Sequence, residues 1–576
     1  MKFFRIFSLK NVLKTSFFNT FSSNRKIKIN FRRLIQKYRM NKSRIFSALV
    51  SAALLSAVPA LVHAQKANWQ NLDLKSDSTF GISTEKAYKE LLKGKKSVKV
   101  IVAVNDGGVE ATHEDLKRIM WVNKKEIAGN GKDDDKNGYA DDINGWNFIG
   151  GPKGSVNFET LELTRLVRRD MARFANTTDA NVAEKDKKDW EAFKAARTDL
   201  EKQLGEAKAN LAGISGFKNA LDAVVKKIGK ENPTAEDFKN FKPSTPIEGR
   251  IQSVLVKQLE EGSFKDFYED QIKEGFDYYT RQAEYNLNLD YNPRDIVGDN
   301  PDDVNEKFYG NNDVAGPDAM HGSHVAGIIA ADRTNKIGIW GVADNVAIMG
   351  VRCTPNGDER DKDVANGIRY AVDNGAKVIN MSFGKAYSWN KAIVNEAMKY
   401  AASKDVLIVQ AAGNENKDID VENNYPNHKD LDEKTIASWI TVGASGPTDD
   451  ETLKASFSNF GKTQVDVFAP GVHIYSTVPG SKYKNLDGTS MASPVVAGLA
   501  GLIRSYYPKL TAAQVKEIIV KSVTKVNHNV SYAKGDEPGA EQVSVPFSDL
   551  CISGGIVNAY NALKLAATYS GKATAK

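Results

Sequence analysis

Two cysteines, Cys353 and Cys551, are all that 576 residues contain. Neither belongs to a CxxC pair or a cysteine–histidine cluster, so a structural zinc site and a dithiol redox centre are excluded. An exported chain could pair the two; spacing alone leaves a disulfide and two buried thiols equally open. Acidic residues are missing from one stretch altogether. Residues 1–64 carry 13 Lys and Arg and no Asp or Glu, and without them the net charge of +7 becomes −6, with 66 basic against 72 acidic side chains. Beyond that stretch there is no Lys/Arg cluster, which argues against a nucleic-acid partner. No internal repeat is evident. With two-fifths of its residues apolar, the chain can bury a substantial core, and its length suggests two or three domains.

The acid-free stretch reads as targeting sequence. From Met40, Lys42 and Arg44 form a charged start, Ile45 to Val62 is an apolar run, and Val62-His63-Ala64 places small residues at a cleavage site. We expect 40–64 to be a signal peptide, leaving Gln65 as the new N-terminus, and 1–39 to be an untranslated, artefactual extension upstream of Met40. An organellar transit peptide and a retained membrane anchor are the competing readings, since the apolar run is just long enough to span a bilayer. The implied location is exported: periplasmic, cell-envelope or extracellular. Membrane contact would come only through an uncleaved signal segment.

The rest alternates between strand and helix patterns. Residues 98–104 are short, β-branched and apolar, and similar runs occur at Val346–Val351, Lys377–Met381, Val406–Ala411, Trp439–Val442 and Val465–Phe468. Helical patterns at Asp363–Asn374 and Asn390–Ser403 lie between them. Alternation of this kind predicts an α/β fold with a mainly parallel sheet between helices, and catalytic groups at the carboxyl ends of strands. Residues 155–300 are charged and helix-patterned instead. Trp190, Phe193, Leu200, Leu204, Ala207 and Leu211 make one apolar stripe, and Val254, Leu255, Leu259, Phe264, Phe267, Ile272 and Phe276 a second. Thr234 and Asp237 resemble a capping box. The expected division is therefore 65–154 and 301–570 as two parts of one α/β domain, 155–300 as a helical insertion, and 571–576 as a tail. Residues 65–93 are expected to pack on the α/β domain, and the insertion either to shield or extend a cleft or to be a structural decoration.

Three segments carry the chemistry. Val104-Asn105-Asp106-Gly107-Gly108-Val109 follows the first strand, His321-Gly322-Ser323-His324-Val325-Ala326-Gly327 comes second, and Gly488-Thr489-Ser490-Met491-Ala492-Ser493-Pro494 third. A serine hydroxyl needs an adjacent base, imidazole is the best base near neutrality, and a carboxylate fixes its tautomer. Ser490 opens a helix-like run, so partial positive charge and free N–H groups lie beside it. In this order, the segments resemble the signature motifs of the subtilisin-like (subtilase) serine protease family. Val378-Ile379-Asn380-Met381-Ser382-Phe383-Gly384 is similar to that family's substrate-binding strand, and Ala411-Ala412-Gly413-Asn414-Glu415 to its oxyanion segment. The resemblance covers about 98–150 and 305–570 and omits the insertion.

It implies the three-layer α/β/α fold of subtilisin and serine endopeptidase activity on protein or peptide substrates, most simply by a monomer. The triad would be Asp106, His321 and Ser490, with Asn414 as oxyanion donor. The first histidine of the motif is the family's catalytic one, which selects His321 over His324. Ser382, Phe383 and Gly384 would present an edge to an extended substrate, and Ala412 and Gly413 the facing wall of a roomy pocket for large apolar side chains, unless the acidic, irregular stretch Asn416–His428 closes it differently. Two departures flank the carboxylate: Asn105 stands where the family is usually apolar, and Gly107 where it usually has Ser or Thr. Asn105 is a candidate hydrogen-bond partner of Asp106. These departures keep a non-catalytic scaffold in view as the rival reading.

No cofactor is required for such chemistry. Asp133, Asp135, Asn137 and Gly138 have the D-x-D-x-N-G spacing of a calcium loop, with Asp141 following, but Asn144 stands where an EF-hand places its Glu. The expected metal, if any, is a structural Ca²⁺ on Asp133, Asp135, Asn137 and Asp141. A second Asp/Asn-rich loop spans Asp295–Asp318.

Overall fold

A computed structural model describes residues 66–260, 262–429, 431–535 and 539–573. The expected signal segment, the extension before it and part of the tail lie outside them. The described chain falls into two compact units: 198–284 with the described part of 534–541, and the remainder.

The larger unit is built on a nine-stranded sheet. Across it run Thr524–Lys525, Gly555–Ile556, Val467–Pro470, Trp439–Ser445, Leu407–Ala411, Val378–Met381, Val100–Asp106, Val346–Arg352 and Gly145–Asn147. Every neighbouring pair is parallel except the first. Side chains alternate between faces, as the two-residue period requires. Val100, Val102 and Val104 point into one core with the helices Met320–Ala330, Thr489–Tyr506 and Ala512–Lys521. Ala103, Met349, Val351 and Ile379 face a second core with Asp361–Asp373 and Lys391–Ser403. The result is the three-layer α/β/α arrangement with a mainly parallel sheet. Being buried on both faces, the strands read as apolar runs rather than alternating ones.

From the Asp106 strand the chain reaches Val346–Arg352 on one side and then Val378–Met381 on the other. The strand order therefore reverses at Asp106, and the crevice at the carboxyl ends opens there. Residues 66–93 belong to this unit. Trp69 is buried in the first core and donates from Nε1 to the Val472 carbonyl at 3.1 Å, and Asn558 Nδ2 donates to Ser83 Oγ at 3.0 Å.

In the smaller unit, Ile214, Leu221, Val224, Phe238, Leu255, Phe264 and Ile272 form a separate core. The first apolar stripe lies on one 42-residue helix, Lys187–Ile228, of which residues 187–197 belong to the larger unit and 198–228 to the smaller. Thr234 and Asp237 form a reciprocal capping box, which starts the short helix Ala235–Asn240. Among residues 155–197, the helix Glu162–Arg173 belongs to the larger unit.

Candidate active site

Asp106 is the last residue of its strand and is 2% exposed. Its Oδ1 accepts the Gly107 N–H at 2.7 Å and meets His321 Nδ1 at 2.8 Å. His321 lies in the first turn of Met320–Ala330. Gly322 lets that helix approach, since a Cβ there would stand 2.2 Å from the Gly108 carbonyl oxygen and 3.1 Å from Asp106 Cβ. Burial alone would lower the His321 pKa, but the Asp106 charge and hydrogen bond outweigh it and the pKa is raised. His324 is fully buried, meets the Lys484 carbonyl at 3.0 Å through Nε2, and is pushed by burial down to about 3. It is thus a neutral structural imidazole, whereas the His321 side chain is 39% exposed.

Asn105 does not bond Asp106. Successive strand residues face opposite sides, and Asn105 is turned under the helix Asp361–Asp373, where a Cβ on Gly367 would lie 3.1 Å from its Nδ2. The hydrogen-bond role expected of it is therefore replaced by the Gly107 backbone N–H. Arg352 holds the turn from behind, donating from Nε to the Gly107 carbonyl at 2.7 Å. Asp106 Oδ2 is buried without a partner among the described residues.

Ser490 sits in the first turn of Thr489–Tyr506, where backbone N–H groups lack intrahelical acceptors. Its hydroxyl donates to the Ser382 carbonyl at 3.1 Å, and Ser382 Oγ donates back to the Ser490 carbonyl at 3.0 Å. Asn380 and Ser493 extend this contact, with Asn380 Nδ2 donating to Ser382 Oγ at 2.9 Å and Ser493 Oγ to Asn380 Oδ1 at 2.8 Å. Asn414 is oriented by Thr489, whose N–H and Oγ1 donate to its Oδ1 at 2.8 and 2.9 Å. That leaves its amide N–H groups turned the other way. A Cβ on Gly488 would lie 3.5 Å from Ser490 N and 3.7 Å from Asn414 Nδ2, so both donors border one space. Thr489 Oγ1 also accepts the Gly413 N–H at 3.1 Å, so one side chain orients Asn414 and ties it to the pocket wall.

The strand through Met381 continues as Ser382, Phe383 and exposed Gly384 outside any ladder, leaving an open edge. Ala412 is buried, and Gly413 has φ +100°, a conformation that favours glycine. A Cβ at Gly413 would also meet Asn459 Nδ2 at 2.3 Å. The space between these walls is narrower than expected. Asn424 Nδ2 donates to the Ala412 carbonyl at 3.2 Å, while its Oδ1 stands 2.8 Å from where a Gly384 Cβ would be. A polar amide thus spans the two walls.

Residues 97–536 match the subtilase family. Among curated proteins, a thermophilic serine proteinase of Bacillus sp. (strain AK1) is 40% identical over 215 residues, 37% of this chain and 49% of the relative. Thermitase of Thermoactinomyces vulgaris is 41% identical over 217 residues, 37% of this chain and 71% of that protein. Subtilisin DY of Bacillus licheniformis is 37% identical over 217 residues, 37% of this chain and 74% of that protein. The chain belongs to the subtilase family. Of the first relative named, it spans about half the length.

This subtilase, a member of a family of serine endopeptidases, also carries the expected acidic loop, in which a different set of carboxylates converges. Glu126, Asp133 and Asp135 bring one carboxylate oxygen each to within 4.8 Å of one another. Asp141 is not among them. Its carboxylate accepts the N–H groups of Gly129, Asn130 and Gly131. Asn137 spends its side chain on Tyr139 N and Asp142, and its N–H donates to Asp133 Oδ1 at 3.0 Å and Asp135 Oδ1 at 3.1 Å. Gly138, at φ +97°, makes the sharp turn such loops need. The third carboxylate of the group is Glu126, upstream of the motif, whose oxygens also accept the N–H groups of Asp134, Asp135 and Asp141. Three hard oxygen donors on one loop fit Ca²⁺. In the second Asp/Asn-rich loop, Asp299 is held at 2.8 Å by Lys362 Nζ and at 2.7 Å by Arg294 Nη2, so its charge is already neutralised.

Both cysteines are free and buried, and burial raises both thiols. Among the described residues, no helix is long and apolar enough to cross a membrane.

Proposed function

We propose that this subtilase is an exported endopeptidase that hydrolyses protein or peptide substrates through an acyl-enzyme on Ser490. Ser490 Oγ rotates from the Ser382 carbonyl to His321, gives up its proton there and attacks the scissile carbonyl. Asp106 holds the imidazole and stabilises the imidazolium, which returns its proton to the leaving amine. The Asn414 amide and the Ser490 N–H stabilise the oxyanion. The observation that carries this reading is the 2.8 Å contact of buried Asp106 with the half-exposed His321 ring.

Ser382, Phe383 and Gly384 offer an unpaired edge to which an extended peptide can add as a strand. The Asn424 amide across the facing walls favours small or polar side chains on the acyl side of the scissile bond. Export follows from residues 40–64, and a monomer is the simplest working unit. Ca²⁺ on Glu126, Asp133 and Asp135 would brace the loop before the Gly145–Asn147 strand and take no part in the chemistry.

Fluorophosphonate labelling tests the reading. The purified protein should gain one adduct by intact mass, and Ser490→Ala none. No adduct on folded, calcium-supplied protein would leave a peptide-binding scaffold instead.

A further inference from the structure

A buried ionic cluster lies directly behind the Ser382–Gly384 edge, and one of its walls comes from the region before the long helix. Lys385 follows Gly384 and is only 5% exposed. Its Nζ lies 2.9 Å from Glu162 Oε1 and 2.7 Å from Asp361 Oδ1, and donates to the Glu359 carbonyl at 2.7 Å. Glu162 Oε1 also accepts the Trp389 N–H at 2.9 Å, and Asp361 Oδ2 accepts the Asn390 N–H at 2.6 Å. The whole turn 385–390 therefore hangs on two carboxylates.

Glu162 is shared with Arg165, whose Nε lies 2.5 Å from Glu162 Oε2. Arg165 Nη2 reaches the carbonyls of Asp358 and Glu359 at 3.1 and 3.2 Å, and the Glu162 N–H donates to Asp358 Oδ2 at 2.8 Å. Just upstream, Phe158 and Asn356 form a parallel bridge. The first turn of Glu162–Arg173 thus joins two segments, 356–361 and 382–390. These leave the strands on either side of the Asp106 strand. Against the burial that would raise it, Arg165 and Lys385 hold the Glu162 carboxyl down to about 2.

We propose that Glu162 and Arg165 are positioning residues for substrate, fixing the separation and register of the peptide-binding edge through Lys385. A surface decoration would need neither full burial of three charges nor bonds to both segments. A buried ion cluster of this kind is a poor source of net stability, because desolvation cancels much of its attraction, but it specifies one geometry. The inference rests on the protease reading and deepens it. Binding of extended chains should depend on the cluster, whereas attack on a small electrophile at Ser490 should not.

The test compares full-length parent, Glu162→Gln and Arg165→Lys below their melting temperatures, using hydrolysis of fluorescein-labelled casein and the fluorophosphonate inactivation rate. Glu162→Gln should raise KM for casein about tenfold with kcat and inactivation rate within about twofold, because uniform binding is lost and the chemical step is kept. Arg165→Lys keeps the charge but loses the planar fork, and should give a smaller rise of the same kind. An unchanged KM in folded Glu162→Gln would overturn the inference alone. Parallel losses of kcat and inactivation rate would overturn it too, because the cluster would then hold the triad rather than the edge. A parent that takes up no fluorophosphonate would remove the protease reading, and this inference with it.

Discussion

Asn414→Ala separates a catalytic amide from a structural one. The Asn414 side chain has two tasks: its Oδ1 accepts two hydrogen bonds from Thr489, at 2.8 and 2.9 Å, and its N–H groups border the space beside Gly488. Losing one preorganised oxyanion donor costs about 10²–10³ in kcat, roughly 3–4 kcal/mol, with KM within about twofold. Truncation also strands the N–H of buried Thr489, which costs about 1–3 kcal/mol of stability. Two further variants divide these effects. Asn414→Asp keeps the acceptor for Thr489 but sets a negative charge beside the oxyanion, so stability should hold while turnover falls at least as far. Thr489→Val removes the hydroxyl anchor but keeps the backbone N–H bond to Asn414 Oδ1, so the amide is held less firmly and kcat should fall by about tenfold, part of the full donor loss. The assay is steady-state peptide hydrolysis, with active sites counted by fluorophosphonate burden and stability followed by thermal unfolding. Normal kcat with a large KM defect in Asn414→Ala would refute the oxyanion role.

The remaining expectations concern the imidazole, the metal loop and the pocket. His321 must be neutral to accept the Ser490 proton, and its pKa is raised. Activity should therefore fall as pH drops through a value above the ordinary one of about 6.5. Asp106→Asn should move that acid limb downward and cut kcat about 10⁴-fold; an unmoved limb would break the assignment. Chelation should lower the melting temperature, and Asp133→Asn should abolish that sensitivity. Asp141→Asn should instead destabilise with or without calcium, since Asp141 lies outside the three converging carboxylates and only holds backbone N–H groups. A melting curve indifferent to chelator would dismiss the metal. Asn424→Gly should remove the bridge across the pocket and raise kcat/KM for Phe over Ala on the acyl side about tenfold, measured on a matched peptide pair. An unchanged preference would mean that Asn424 does not limit the pocket.

Elements whose signals are local were legible in the chain. Apolar runs buried on both faces marked the sheet strands, and the order of the Asp106, His321 and Ser490 segments marked the family. Thr234 and Asp237 marked a helix start because a capping box closes within four residues. The rest depends on groups that folding brings together across long separations, or on which face a side chain takes. Asn105 looked like a partner for Asp106 because the two are adjacent, yet the pleat sends them to opposite sides of the sheet. Glu126 joined Asp133 and Asp135 through a turn no spacing rule describes, while Asp141, in the motif's own register, turned to cap the backbone. The irregular stretch Asn416–His428 was a candidate to close the pocket, but that Asn424 is the residue reaching both walls was set by packing, since the loop has no periodic signal. Glu162 read as one more charge on a helical segment. Its meaning came from Lys385, 223 residues away, because burial of opposite charges is fixed by packing and leaves no mark on either residue's neighbours in the chain.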